Sequence, residues 1–190
     1  MACWRHLDDR PPDWRGCVVT MGVFDGFHLG HQAVVRAAVE DAHRKDLPCV
    51  LVTFDPHPLT VVDPARAPRL LLRLAERLRR VQAAGVDVAL VLPFTARLAA
   101  TTAEQFISEV LVDGLGARSV VVGANFRFGR GNSGDVAALR DAGEDADFTV
   151  HAVPLVEVDG EVCSSTRVRR CLDDHDLAGA ASLVGSGARA

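Results

Sequence analysis

Short runs of apolar, β-branched residues alternate along the chain with longer stretches whose apolar positions recur every three to four residues. That alternation predicts βαβ units and a parallel sheet covered on both faces. Residues 17–23 read as the first strand and 31–44 as the helix after it, with Val34, Val35, Ala38 and Val39 on its apolar stripe. Residues 50–54 make the second strand. Pro56, Pro58, Pro64 and Pro68 then predict a loop over 55–68, because proline lacks an N–H and restricts the residue before it. A helix over 70–84 ends at Gly85, and a third strand over 88–92 ends at Pro93. The run Thr101-Thr102-Ala103-Glu104-Gln105 offers a capping box for a helix reaching Val112, followed by a strongly β-branched fourth strand over 118–123. Another loop and helix lead to a fifth strand over 148–153 and an extended excursion over 155–163 that turns at Asp159-Gly160. Ser164, Ser165 and Thr166 open a helix to Leu172, and 176–184 is the last helix.

The expected architecture is α/β: an open parallel sheet of about five strands with helices on both faces, in one domain over residues 17–185. Residues 1–16 are an N-terminal extension and 186–190 a small-residue tail. Such sheets bind ligands beyond the carboxyl ends of their strands, where the strand order reverses. Four unusual loops begin at such ends, at Gly22, Asp55, Gly123 and Pro154.

Composition narrows what those loops can bind. The 190 residues are 48% hydrophobic, enough for a substantial core, and the net charge of -4 gives no broad attraction for nucleic acid or an anionic membrane. No apolar run is long enough to span a bilayer, and the first residues lack the hydrophobic core of a secretion signal, so the expected compartment is the cytoplasm. The five cysteines are odd in number, scattered and never paired as Cys-x-x-Cys, so neither a disulfide framework nor a zinc knuckle is expected. Lys45 is the single lysine, which leaves arginines and backbone N–H groups to recognise phosphate.

In the first loop, Gly22, Gly26 and Gly30 let the backbone approach a ligand closely, and the helix beginning near Gly30 aims free N–H groups and its positive end at the same space. His28 and His31, three apart at that helix start, can face one way and add donors; beside a polyphosphate their charged form is favoured. A zinc site would need partners that the sequence does not supply. Phe54, Pro56 and Pro58 form a rigid apolar ledge that carries His57, suited to a flat heteroaromatic ring. Asn125 can donate and accept, toward a phosphate, a sugar or a hydrated metal; Phe126 and Phe128 beside it can pack internally or touch ligand. The glycines of Gly129-Arg130-Gly131-Asn132-Ser133-Gly134 match a dinucleotide fingerprint, yet they do not follow a strand directly. A mobile loop near the substrates fits them better than an NAD site. Arg169, one turn into the helix opened by Ser164, can clamp phosphate bidentately.

Gly22-Val23-Phe24-Asp25-Gly26-Phe27-His28-Leu29-Gly30-His31 resembles the His-x-Gly-His signature of nucleotidyltransferases, in the form found in the bacterial FAD synthetase family. Three further segments carry the resemblance in the family's order: Thr53-Phe54-Asp55-Pro56-His57-Pro58, Gly123-Ala124-Asn125-Phe126-Arg127-Phe128-Gly129, and Ser164-Ser165-Thr166-Arg167-Val168-Arg169. The resemblance implies a Rossmann-like nucleotidyltransferase fold and transfer of AMP from ATP to FMN. It implies catalytic roles for His28, His31, Asn125 and Arg169. ATP would bind Gly22, Phe24, Asp25, Gly26, His28, Gly30, His31, Gly123, Ser164, Ser165, Thr166 and Arg169. FMN would bind Phe54, Asp55, Pro56, His57, Pro58, Asn125, Phe126 and Phe128. Mg2+ would bridge the triphosphate without dedicated protein ligands. Family members commonly carry a C-terminal riboflavin kinase domain, for which the residues after Gly185 leave no room, so the resemblance covers the adenylyltransferase part. Another phosphate acceptor, or a sensor that binds flavin or nucleotide without turnover, would use the same loops.

Overall fold

Alternate residues of the central apolar runs face opposite ways, and each set finds its own layer of helices. In the computed structural model, which describes residues 1–185, the strands are β1 (Ala2–Trp4), β2 (Cys17–Met21), β3 (Cys49–Asp55), β4 (Val88–Pro93), β5 (Ala117–Gly123) and β6 (Thr149–Val153). They form one parallel sheet in the order β1-β4-β3-β2-β5-β6. Val19, Met21, Val50, Val52, Val120 and Val122 point to one face. There they meet α5 (Ala103–Phe106), its wider π-type continuation Ile107–Gly114, and α6 (Val136–Ala146). Val18, Cys49, Leu51 and Val121 point to the other face, against α1 (Leu29–Lys45) and α3 (Leu74–Ala83). Each fully buried Val or Leu contributes about 1.5–3 kcal/mol, so these two cores hold the strand ends rigidly.

The remaining elements build the rim above the carboxyl ends of the strands. They are α2 (Pro58–Val62), α4 (Ala96–Ala100), a β7–β8 hairpin (Glu157–Val158 with Glu161–Val162), α7 (Ser165–Asp173) and α8 (Leu177–Val184). A third cluster of Cys163, Val168 and Leu183 joins α7 and α8, and Gln32 of α1 donates to the carbonyls of Phe27 and Val184.

Three features depart from the sequence expectation. The sheet has a sixth strand, because part of the N-terminal extension pairs with β4: Ala2 with Val88 and Trp4 with Leu90. The rest of that segment caps the end of the π-type helix, where Arg10 donates to the carbonyl of Gly114 at 2.6 Å and Trp14 Nε1 to that of Leu115 at 2.6 Å. The loop over 55–68 contains α2 and a 3-10 turn over Pro64–Arg66, with Pro58 and Pro64 in first positions where a missing N–H breaks no helical bond. α3 starts at Leu74 rather than residue 70, because the N–H groups of Leu71 and Leu72 are committed to the carboxylate of Asp25. Residues 186–190, expected as a tail, lie outside the described residues.

Candidate active site

β3 and β4 lie on one side of β2, while β5 and β6 lie on the other, so the order reverses between β2 and β5. A cleft of about 950 Å3 opens there, beyond Gly22 and Gly123.

The backbone of the first loop is locked in an unusual shape. Phe24 and Phe27, at φ 54° and 42°, occupy the left-handed region, which non-glycine residues enter only when the surroundings impose it. Burial of both rings supplies that constraint. Gly26, at φ 83°, holds a backbone conformation that strains any side chain, and a Cβ there would lie 2.6 Å from Leu71 Cδ1 and push that methyl aside. The chain then enters α1 with His28 as its N-cap, whose Nδ1 accepts from the N–H of His31 at 3.4 Å. The His28 and His31 rings stack at 3.7 Å, and His31 meets Phe24 edge-on at 5.2 Å. A Cβ at residue 30 would come within 3.1 Å of the His28 ring, so Gly30 permits this stack.

Burial pushes the His28 imidazolium down to about 4. His31 is held well below its ordinary range by burial first, then by His28 and Arg77. In the free protein both rings are therefore neutral at pH 7. The charged form expected beside a polyphosphate is not the resting form, because no anion offsets desolvation. With Nδ1 of His28 accepting, Nε2 carries the proton and is the donor available to a ligand.

A second helix start closes on the same space. Ser164 caps α7 by accepting from the N–H of Arg167 at 3.1 Å, and the Ser165 hydroxyl donates to the carbonyl of Asp25 at 2.6 Å. Ser164 and Ser165 line the cleft with Gly22, His28, Gly30 and His31. Two sets of unpaired helix N–H groups thus converge beside the stacked imidazoles, an arrangement that attracts anions without a lysine.

The opposite wall is apolar. Phe54 meets Phe94 edge-on at 5.5 Å, Phe126 stacks on Phe128 at 5.6 Å, and His57 and Pro58 stand at the start of α2. His57 is the N-cap of that helix, with Nδ1 accepting from the N–H of Leu59 at 3.2 Å; burial first holds it below its ordinary range. Gly123 and Asn125 lie between the two walls, at the end of β5.

Six of the residues expected at the site lie off the cleft lining: Asp25, Gly26, Asp55, Pro56, Thr166 and Arg169. Asp25 is buried and accepts from the N–H groups of Leu71 (3.0 Å) and Leu72 (2.9 Å) and from Arg169 Nη2 (2.5 Å). Arg169 also donates through Nε to the carbonyl of Arg69, so its guanidinium is committed to a brace behind the wall. Thr166 is exposed and faces a separate hollow of about 230 Å3, with Arg167 and Arg170. Asp55 stands 4.0 Å from Arg5 on the surface.

Other lining residues stand outside the four loops expected to form the site. Phe94, Leu98 and Thr101 follow β4, and its carboxyl end is a fifth strand end at the same rim. Arg127 and Arg130 are the charged side chains of the lining among the described residues, and Arg127 is paired with Asp135 at 3.1 Å. The loop Gly129–Asn132 does line the cleft, with Phe128 and Gly134 bridged by mutual backbone bonds. Arg77, on α3, is buried and donates to the carbonyls of Val23 at 2.5 Å and Phe54 at 3.4 Å. Among the described residues, no three or more His, Cys, Asp or Glu side chains gather to hold a metal, and no helix is long and apolar enough to cross a membrane.

Comparison with known proteins gives the arrangement a lineage. The model of the FAD synthetase family matches residues 10–167. A bifunctional riboflavin kinase/FMN adenylyltransferase from Escherichia coli strain K12 is 41% identical over 180 residues, covering 95% of this chain and 57% of that protein. A putative bifunctional riboflavin kinase/FMN adenylyltransferase from Geobacillus thermodenitrificans is 39% identical over 171 residues, 90% of each chain. A solved structure described as a macrolide-efflux protein from Streptococcus pneumoniae superposes with a TM-score of 0.81 at 30% identity, covering 96% of this chain and 59% of that one. The chain spans a little over half the length of the Escherichia coli relative. It belongs to the FAD synthetase family.

Proposed function

We propose that this domain is an FMN adenylyltransferase, joining the adenylyl group of ATP to FMN to give FAD and pyrophosphate. The observation that carries the reading is the pairing, within one cleft at the switch point, of an anion-seeking wall with an apolar aromatic wall. Its volume of about 950 Å3 suits two drug-sized substrates side by side.

A phosphate oxygen of FMN attacks the α-phosphorus of ATP in line, a new P–O bond forms, and the bond to the departing pyrophosphate breaks. No side chain need act as nucleophile. The N–H groups opening α1 and α7, with Nε2–H of His28 and the ring of His31, stabilise the charge that grows on the phosphoryl and leaving-group oxygens. Binding of a polyanion raises the affinity of both imidazoles for a proton and strengthens them as donors. Asn125, between the walls, meets the phosphates of both substrates, while Phe54, Pro58, Phe126 and Phe128 hold the flavin ring. The carboxylate of Asp25 is fully engaged, so the first loop leaves no free acidic ligand for a cation; magnesium would enter on the nucleotide and rely on it for ligands.

Incubation with FMN, ATP and Mg2+, followed by chromatography, tests substrate and reaction together: FAD and pyrophosphate should appear in equal amounts. His28→Ala and His31→Ala should each slow the reaction on the order of 100-fold while circular dichroism still shows the parent fold. Substrate binding without pyrophosphate release would favour a sensor, and turnover only with a different phosphate acceptor would reassign the ring pocket.

A further inference from the structure

Arg77 is among the most deeply buried charged groups of the protein, with 4% of its surface exposed. No carboxylate lies within ion-pairing distance of it among the described residues. Its partners are two backbone carbonyls on different walls of the cleft: Val23 in the glycine and histidine loop, at 2.5 Å, and Phe54 at the head of the apolar ledge, at 3.4 Å. Its Nε is buried without a partner. Thr53 Oγ1 also donates to the carbonyl of Val23, at 3.2 Å, so that carbonyl would remain satisfied without the arginine.

Burying a guanidinium with two carbonyls as its hydrogen-bond partners, one N–H unpaired, and Asp25 and Asp55 acting on it only from beyond ion-pairing distance is a poor route to stability; an apolar side chain of similar length is often as good or better at such a place. A planar fork reaching two carbonyls does something an apolar chain cannot, which is to fix the distance between the segments that bear them. We infer that Arg77 is a positioning residue that holds the nucleotide wall and the flavin wall in register, so that the FMN phosphate meets the α-phosphorus of ATP at reacting distance. This rests on the adenylyltransferase reading above. The registry itself does not, because it is a property of the chain: β2 and β3 are paired as far as Gly22, whose N–H donates to the carbonyl of Val52, and beyond that pair Thr53 and Arg77 tie the two segments together.

The effect falls on turnover more than on binding. Each wall keeps its own contacts to its own substrate when Arg77 is lost, whereas a shift of about 1 Å between reacting groups can lower rate 100-fold. Arg77→Met should therefore melt within a few degrees of the parent and bind ATP and FMN within about threefold, while kcat falls at least tenfold. Arg77→Lys, which keeps the charge and can reach one carbonyl, should fall between the two and not restore the parent rate. Hydrogen exchange supplies a readout independent of chemistry: in Arg77→Met, amides in both 22–28 and 54–58 should exchange faster. A folded methionine variant with kcat within twofold of the parent would overturn the inference, as would faster exchange in only one of the two segments. If the methionine variant fails to fold, the same comparisons on Arg77→Lys decide the matter. If the parent protein makes no FAD, the adenylyltransferase reading falls and the exchange measurement still judges the brace.

Discussion

Replacement of Asp25 by asparagine removes the charge from a carboxylate that ties three parts of the chain together: the first loop, the segment at Leu71 and Leu72, and α7 through Arg169. An amide that keeps its oxygen in the place of Oδ1 still accepts from both N–H groups, which share that atom, and turns its NH2 group toward Arg169. The charge-assisted bond to Arg169 is lost, at about 1.5–3 kcal/mol. Its guanidinium, with side-chain exposure of 18%, stays behind with the carbonyl of Arg69 as its remaining partner. The expected loss is about 2 kcal/mol, discounted for the water that still reaches Arg169. For a domain of this size each kcal/mol moves the melting temperature by about 2–4 °C, so Asp25→Asn should melt roughly 4–8 °C below the parent in scanning calorimetry. Arg169→Met should lower it as well, and the double variant should fall short of the summed losses by on the order of 1 kcal/mol or more, because each single change already breaks the shared bond. An Asp25→Asn melt within 2 °C of the parent would refute the brace. Strict additivity in the cycle would do the same, and would return Arg169 to the role of a free phosphate clamp.

Acid should act on the stacked histidines. The folded pKa of His28, about 4, lies below its ordinary 6.5, so as pH falls the unfolded chain takes up that proton first. The stability contributed by the neutral ring is complete above pH 6.5 and is lost progressively down to pH 4, about 3 kcal/mol in all. Urea midpoints of the parent and His28→Gln should therefore converge over that interval; parallel pH profiles would show that the buried imidazole is not the cause. Gly26→Ala forces a side chain into a left-handed turn against Leu71, and chemical denaturation should register a loss of about 1–2 kcal/mol, with an unchanged midpoint counting against the strain.

Much of this site was legible in the sequence because it lies at strand ends, and strand ends follow from hydrophobic periodicity. His28, His31, Asn125 and Ser164 could be assigned to one rim from local pattern and the rule for open parallel sheets, and all four line the cleft. Long-range partners were the part that local pattern could not supply. Nothing in the spacing of Asp25, Leu71 and Arg169 announces that they meet, so the carboxylate and guanidinium read as ligand groups although each is engaged by the other. Arg77 reads as one more polar residue on an amphipathic helix, since its burial depends on how α3 crosses the ends of β2 and β3. Phe94 could have been found by applying the strand-end rule to β4 as well. The sixth strand is three residues long, too short for its alternation to stand out from a turn.

That short strand decides which backbone groups lie at one edge of the sheet. Without Ala2–Trp4 the sheet would end at β4, a six-residue strand whose unpaired N–H and carbonyl groups lie beside the apolar run Val88–Pro93. Such an edge is a template for pairing with another chain. The N-terminal residues cover it with a strand half as long, and the 3-10 turn after it leads the chain away along the helical layer. The first residues therefore cover the template that β4 would otherwise present, on the edge of the sheet three strands away from the cleft-bearing β2.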